Sequence, residues 1–264
     1  MQTNTYTSLL YHVQDNIATI TLNRPDRFNA FDEALSYELQ KALKEAGKDT
    51  QVRVVVLTGA GKAFCSGQDL KDIQGQTGKR NLGASVEQRY NPIIKLMQQM
   101  PKPIIARLNG VAAGAGCSLA LACDMVIASE LSSLIEVFVN VGLVLDSGSS
   151  YFLPRAVGIK KAFELATMAN KISAAEALQL GLVNRVVPHE ALDAETEKVA
   201  AYFAQAPTKA IGMIKKMLYQ SHHSTLDEML QQEAYCQEIA GYTQDYQEGV
   251  TAFVEKRKPV FKGV

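Results

Sequence analysis

The chain has 264 residues, 47% apolar and 20% charged, which is the profile of a folded globular protein and excludes a disordered chain. Lys+Arg and Asp+Glu number 27 each, so the formal net charge is +0 and no global field steers the protein onto nucleic acid or anionic lipid. No apolar run is long enough to cross a bilayer and the first residues carry no signal-peptide pattern, so the expectation is a cytoplasmic protein with no membrane or nucleic-acid partner.

Two short apolar runs, Leu9 to Val13 and Ile17 to Leu22, flank Gln14-Asp15-Asn16 and predict a β-hairpin. Residues 32–46 carry apolar side chains at helical spacing behind Asp32, an N-cap candidate. Residues 52–59, VRVVVLTG, are β-branched and nearly continuous, as in a strand covered on both faces. Residues 71–84 are polar and rich in Gly and Gln and predict a surface loop. A helix is expected from about Val86 to Met100, ended by Pro101 and Pro103. Ile104 to Leu108 and Met125 to Ala128 read as strands, separated by a glycine-rich segment and an apolar helix over 117–124. Strands and helices alternate to about Val187. Beyond Pro188 the pattern is helical over 189–205, 208–222 and 225–256. The fold class is therefore α/β, with a core over 1–188 and a helical C-terminal region over 189–264. No internal repeat is visible. Cys65, Cys117, Cys123 and Cys236 are spaced like no zinc site and are expected as reduced thiols; no metal is expected.

Gly110-Val-Ala-Ala-Gly-Ala-Gly116 lies between a strand and a helix. Glycine lets backbone N–H groups approach a ligand closely, and the helix start offers unpaired donors. Such a loop suits a developing oxyanion or a phosphate, and tight helix–strand packing accounts for the glycines equally well. The P-loop pattern and the order G-x-G-x-x-G are absent. A second turn, Phe64-Cys65-Ser66-Gly67-Gln68-Asp69, follows the buried strand. One N–H there and one at Ala115 can together polarise a carbonyl.

Asp146 stands in a stretch of apolar and small residues. In a dry pocket its carboxyl would exchange protons with a carbon acid. Local sequence alone favours a plainer role, capping a helix that starts near Ser147. Glu136 alternates with apolar residues and is expected on an exposed strand face. Asp69 and Asp124 sit at element ends, where local hydrogen bonding is usual. His222 and His223 are expected on a solvated helix face, and His12 and His189 have no partner pattern.

Taken in order, several segments are specific: Ile20-Thr-Leu-Asn-Arg-Pro25, Phe28-Asn-Ala30, Leu57-Thr-Gly-Ala-Gly61, Ala63-Phe-Cys-Ser-Gly-Gln-Asp-Leu70, Pro101-Lys-Pro-Ile-Ile-Ala106 and Asn109-Gly-Val-Ala-Ala-Gly-Ala-Gly116. Leu153-Pro-Arg155, Ala174-Ala-Glu-Ala-Leu178, Gly181-Leu-Val183 and Phe253-Val-Glu-Lys-Arg-Lys-Pro259 continue the series. Together they resemble the crotonase family of enoyl-CoA hydratases and isomerases over almost the whole length. The resemblance implies a ClpP-like ββα spiral core with C-terminal helices used for trimerisation, and trimers that pair into hexamers. It implies an acyl-CoA substrate, with coenzyme A part of that substrate and no separate cofactor. The oxyanion hole would be the N–H groups of Gln68 and Ala115. Coenzyme A contacts carried over are Arg27, Phe28, Ala30, Ser66, Asp69 and Leu70, with Phe253 and Lys256 at the nucleotide end across a subunit boundary. Residues 71–84 would shape the acyl pocket.

The departures from the hydratase pattern matter most. The two hydratase glutamates are replaced by Ser118 and Phe138. Asp146 instead matches the single catalytic aspartate of isomerase members, with Phe138 and Val141 as apolar walls. Ser85-Val-Glu-Gln-Arg-Tyr-Asn-Pro92, Leu145-Asp-Ser-Gly148 and Asp245-Tyr-Gln-Glu-Gly-Val-Thr-Ala-Phe253 are similar to the ring-epoxide isomerase branch of bacterial phenylacetate degradation. That branch converts 2-(1,2-epoxy-1,2-dihydrophenyl)acetyl-CoA to its oxepin. Three rivals remain: an enoyl-CoA hydratase-like enzyme of fatty-acid degradation, an aryl-CoA dehalogenase, and a non-catalytic or RNA-binding scaffold. The dehalogenase pattern also needs a Trp and a mid-chain His, whereas this chain has Trp 0 and no His between His12 and His189. The balanced charge gives RNA binding no general support.

Overall fold

The computed structural model describes residues 6–70 and 81–264. Strands β1 (Leu9–Gln14) and β2 (Ile17–Leu22) form the expected hairpin, with Gln14 opposite Ile17. Its turn places Asp15 and Asn16 at φ 51° and 64°, a conformation that these two residue types tolerate. Helix α1 (Glu33–Lys48) starts where Asp32 accepts the Leu35 N–H at 2.8 Å. Its inner face buries Leu35, Leu39 and Leu43, one helical turn apart.

Strand β3 (Val54–Gly59) is buried throughout. Its continuous apolar run has a simple cause, because both faces are covered. Val55 and Leu57 join one core with Leu39 and Met97, and Val54 and Val56 join a second. Next come β4 (Ala63–Cys65), the short helix α2 (Leu82–Ser85), a π turn over Val86–Tyr90 and α3 (Asn91–Gln99). The expected helix over 86–100 is thus partly a π turn. Of the expected loop over 71–84, residues 71–80 lie outside the described residues and Leu82–Ser85 is helical.

The chain continues through β5 (Ile104–Leu108), β6 (Val111–Ala113), α4 (Ala115–Leu121), β7 (Met125–Ser129) and β8 (Ser133–Ile135). A 3-10 turn over Val137–Val141 precedes α5 (Ser149–Met168), which is kinked at Gly158. Then follow β9 (Ile172–Ser173), α6 (Ala174–Gln179) and β10 (Arg185–Val187). The first sheet has the order β1-β2-β3-β5-β7-β10 and the second β4-β6-β8-β9. One strand goes to each sheet and a helix follows, three times over: β3-β4-α3, β5-β6-α4 and β7-β8-α5. This is the ββα spiral, built without any repeat in sequence.

After Val187 the described chain is helical: α7 (Leu192–Gln205), α8 (Thr208–Gln220), α9 (Leu226–Gly241) and α10 (Gln244–Val254). Helix α7 covers the outer face of the first sheet, packing Leu192, Val199 and Ala200 against Val54, Val56, Ile105 and Ile127. The single helix expected over 225–256 is two helices. The break falls at Tyr242-Thr243, where the Thr243 hydroxyl accepts the Tyr246 N–H at 3.0 Å and starts a new helix.

Strands β4, β6 and β8 run parallel in the second sheet. Their carboxyl ends therefore lie side by side. The segments leaving those ends carry Gln68, Ala115 and, after the 3-10 turn, Asp146. The carboxyl edge of parallel strands is where open α/β sheets bind ligands.

Candidate active site

The two glycine-bearing loops meet. A Cβ built on Gly67 would lie 2.7 Å from the Ala113 oxygen and 3.4 Å from the Ala115 nitrogen, and one on Gly116 would lie 2.1 Å from the Cys65 carbonyl oxygen. No side chain fits at either position, so glycine is what lets helix α4 sit against the turn after β4. Gly67 (φ 89°) and Gly114 (φ 52°) also adopt left-handed backbone. The Gly67 carbonyl accepts the Phe31 N–H at 2.7 Å, and the Asp69 N–H donates to the Phe31 oxygen at 2.9 Å. These bonds fix the backbone on both sides of Gln68. The N–H groups of Gln68 and Ala115 themselves donate to no partner among the described residues. The Gln68 side chain is clamped as well: its Nε2 donates to the Phe31 oxygen at 3.1 Å, and the Tyr90 hydroxyl donates to its Oε1.

Asp146 does not cap a helix. Ser147 (φ 51°) and Gly148 (φ 86°) intervene in left-handed backbone, so α5 starts at Ser149 with Gly148 as its N-cap. Among the described residues the carboxyl keeps one hydrogen bond, from Ser147 Oγ to Oδ1 at 2.8 Å. Burial pushes the Asp146 pKa up, and the Ser147 bond pulls it back in part. The Asp146 main-chain oxygen receives Ser118 Oγ at 3.1 Å, and Ser118 stands on the same helix as Ala115. The Asp146 turn and the glycine loop before helix α4 are thereby tied together.

Phe138 is buried, and a Cβ on Gly114 would lie 3.8 Å from its ring. Val141, the other expected wall, is 53% exposed. Asp69 is buried and paired to Arg24 at 3.0 Å, more than the local role expected for it. The Arg24 guanidinium also donates to the Ala30 carbonyl and pairs with Asp32 at 3.1 Å. Ser66 N–H donates to the Phe28 oxygen at 3.0 Å, so Arg27, Phe28 and Ser66 form one rim. Phe28 and Leu70 are exposed there. Phe253 and Lys256 share no hydrogen bond or ion pair with this rim among the described residues. Phe253 is 85% exposed, beside an apolar cavity of about 380 Å³ that Val250 and Phe261 also line.

Glu136 corrects the sequence reading. It is 0% exposed, not on a solvated strand face. It lies just past the end of β8, and its carboxyl meets Cys117 of α4 and Ser149 of α5. Burial first, and the Asp146 charge in addition, push its pKa up to about 7. Asp124 is also more than a local cap, since its carboxyl holds Lys215 at 2.7 Å and the Ile104 N–H at 2.8 Å.

A parallel-strand edge with two unengaged N–H groups, and an under-partnered carboxyl on a turn bonded to the same helix, has the donors and the acid that acyl chemistry can use. Residues 12–264 match the family model for enoyl-CoA hydratase/isomerase. The chain is 41% identical to 1,2-epoxyphenylacetyl-CoA isomerase of Escherichia coli K12, over 97% of this chain and 98% of that one. It is 34% identical to trans-2-decenoyl-[acyl-carrier-protein] isomerase of Streptococcus mutans, over 98% and 99%. The crystal structure of enoyl-CoA hydratase from Bacillus anthracis superposes with a TM-score of 0.93 at 35% identity, over 98% of this chain and 100% of that one. The chain belongs to the enoyl-CoA hydratase/isomerase, or crotonase, family. No helix among the described residues is long and apolar enough to cross a membrane.

Proposed function

We propose that the protein is an acyl-CoA isomerase with Asp146 as its acid/base. The observation that carries this reading is a pair of unengaged N–H groups, Gln68 and Ala115, on joined loops, with Ser118 of the Ala115 helix bonded to the turn whose Asp146 carboxyl caps nothing. A thioester oxygen held between the two N–H groups gains negative charge as the neighbouring carbon loses a proton, and fixed donors aimed at that charge lower the barrier. For a β,γ-enoyl-CoA, the Asp146 carboxylate takes a proton from C2. The electrons move into a dienolate, and the same carboxyl returns the proton at C4. The product is the conjugated isomer, with no atom gained or lost. Burial raises the proton affinity of Asp146 toward what this exchange needs. Serine at 118 and phenylalanine at 138 leave no glutamate pair of the hydratase kind to activate water.

The physiological substrate in this reading is 2-(1,2-epoxy-1,2-dihydrophenyl)acetyl-CoA, isomerised to the oxepin, with β,γ to α,β isomerisation as a related activity. The likeness to the Escherichia coli isomerase supports it. Coenzyme A would lie along Arg27, Phe28, Ala30, Ser66, Asp69 and Leu70. Phe253 and Lys256 would come from a neighbouring subunit. Leu218, Leu226, Tyr242, Phe253 and Val254 expose an apolar surface on the C-terminal helices, which a homotrimer or a dimer of trimers would bury.

The test is incubation with a β,γ-enoyl-CoA in D₂O, beside Asp146→Asn, with product and deuterium followed by mass spectrometry. Conjugation and exchange that depend on Asp146 support the reading and take the aromatic epoxide next. Full turnover by Asp146→Asn overturns it.

A further inference from the structure

Glu136 follows β8 directly and leads into the 3-10 turn, with none of its surface in solvent. Its Oε1 accepts from Ser149 Oγ at 2.9 Å and from Cys117 Sγ at 3.4 Å. Its Oε2 is buried with no hydrogen-bond partner among the described residues. Ser149 Oγ lies 2.7 Å from Ser118 Oγ. Ser118 Oγ in turn lies 3.2 Å from the Gly114 oxygen and 3.1 Å from the Asp146 oxygen. A hydroxyl has one proton to give. With Glu136 as the terminal acceptor, Ser149 gives its proton to Glu136, and the single Ser118 proton is shared between Ser149 Oγ and the Asp146 and Gly114 carbonyl oxygens. The carboxyl thus anchors a network that spans the oxyanion helix, the start of α5 and the Asp146 turn.

The titratable groups that face Glu136 are the Cys117 thiol on α4 and the Asp146 carboxyl before α5, and Ser149 on α5 is neutral. No lysine or arginine pairs with Glu136 among the described residues. A buried carboxylate with a bare oxygen and no cation is costly, so the neutral acid is the resting form. That agrees with a pKa pushed up to about 7 by burial and by the Asp146 charge.

Resting on the reading of Asp146 as the acid/base, we propose that Glu136 is a positioning residue whose neutral carboxyl holds the Asp146 turn in register with the oxyanion loop, and that loss of its proton switches the site off. The second negative charge would stand beside a developing enolate and oppose its formation.

Two measurements test this on the full-length protein. The first is kcat and KM for β,γ-enoyl-CoA isomerisation from mildly acidic to mildly alkaline pH, for wild type, Glu136→Gln, Glu136→Ala and Asp146→Asn. The second is infrared difference spectroscopy of the carbonyl band of a neutral carboxylic acid, without substrate. We expect wild-type kcat to fall on the alkaline side of neutrality while KM holds. Glu136→Gln keeps an acceptor for Ser149 and cannot ionise, so it removes that alkaline fall. Glu136→Ala lowers kcat at every pH by about tenfold to a hundredfold, the cost of a misplaced catalytic group. The infrared band should titrate near neutral pH in the wild type and vanish in Glu136→Gln. An unchanged alkaline fall in Glu136→Gln, or no titrating band in the wild type, overturns the proposal. Wild-type turnover by Asp146→Asn fails the underlying reading instead, and the infrared titration still reports the charge of Glu136 by itself.

Discussion

Two aspartates, Asp124 and Asp146, are both partly buried, and desolvation pushes both pKa values up. Around Asp124 both carboxyl oxygens are engaged. Lys215 Nζ lies 2.7 Å from Oδ2, the Ile104 N–H 2.8 Å from the same oxygen, and the Tyr219 hydroxyl 3.2 Å from Oδ1. Lys215 also donates to the Met97 carbonyl at 2.8 Å and the Lys102 carbonyl at 3.2 Å. This cluster locks α8 against α3 and the start of β5. Asp146 has one short bond from its neighbour Ser147 and no ion pair among the described residues. The residue type is the same and the burial comparable. A carboxyl whose partners are complete is spent on structure, whereas one left short of partners keeps capacity for a substrate.

Changing each aspartate's setting is the direct way to break that contrast. Asp146→Asn should lower isomerisation by about a thousandfold, within the range for losing a general acid/base, or ~4 kcal/mol of barrier. Its thermal midpoint should barely move, because little structure depends on the carboxyl. Lys215→Met does the reverse. It strands the Asp124 charge and should cost about 3–5 kcal/mol of stability in a urea titration, with kcat per folded molecule unchanged. A stable Lys215→Met, or an active Asp146→Asn, would end the distinction.

Glu136 sharpens the contrast through pH. Its carboxyl has a pKa of about 7 in the fold, against 4.5 for an ordinary glutamate. The folded protein therefore holds a proton that the unfolded chain gives up. The stability it contributes is complete below pH 4.5 and is lost as pH rises toward about 7. The loss is about 3 kcal/mol at 1.36 kcal/mol per pKa unit. Denaturant titrations across that window should show the decline in the wild type. Glu136→Gln should flatten it. An equal decline in the variant would assign it to other groups.

How far these features are legible in sequence depends on how local their causes are. The hairpin turn, the Asp32 cap and the two-faced burial of β3 are set by residues a few positions apart, and the sequence displays each of them. The joining of Gly67 to Ala115 depends on β4 pairing with β6, which no local pattern records. The capping role expected of Asp146 fails because Ser147 and Gly148 turn left-handed and delay the helix by two residues. Glu136 misleads because alternation identifies which residues share a face but not whether that face is covered. The covering elements, α4 and α5, come from either side in sequence. The break between α9 and α10 rests on one hydroxyl inside a long helical pattern, so periodicity reads through it.

That hydroxyl offers the smallest and most discriminating change. Thr243 accepts the Tyr246 N–H at 3.0 Å and donates to the Ala240 carbonyl at 2.7 Å, so, like Asp124, it is fully partnered. Thr243→Ala should cost about 1 kcal/mol, the ordinary value of an N-cap, and lower the thermal midpoint by about 2–4 °C. If complete partnering marks structure, kcat and KM stay at wild-type values. Helix α10 carries Phe253, and Lys256 follows it directly. A rise in KM with unchanged kcat would therefore mean that the angle between α9 and α10 aims these two residues at a coenzyme A bound in the next subunit. In that event partnering alone no longer separates structure from function, and the orientation of α10 has to be counted as part of the site.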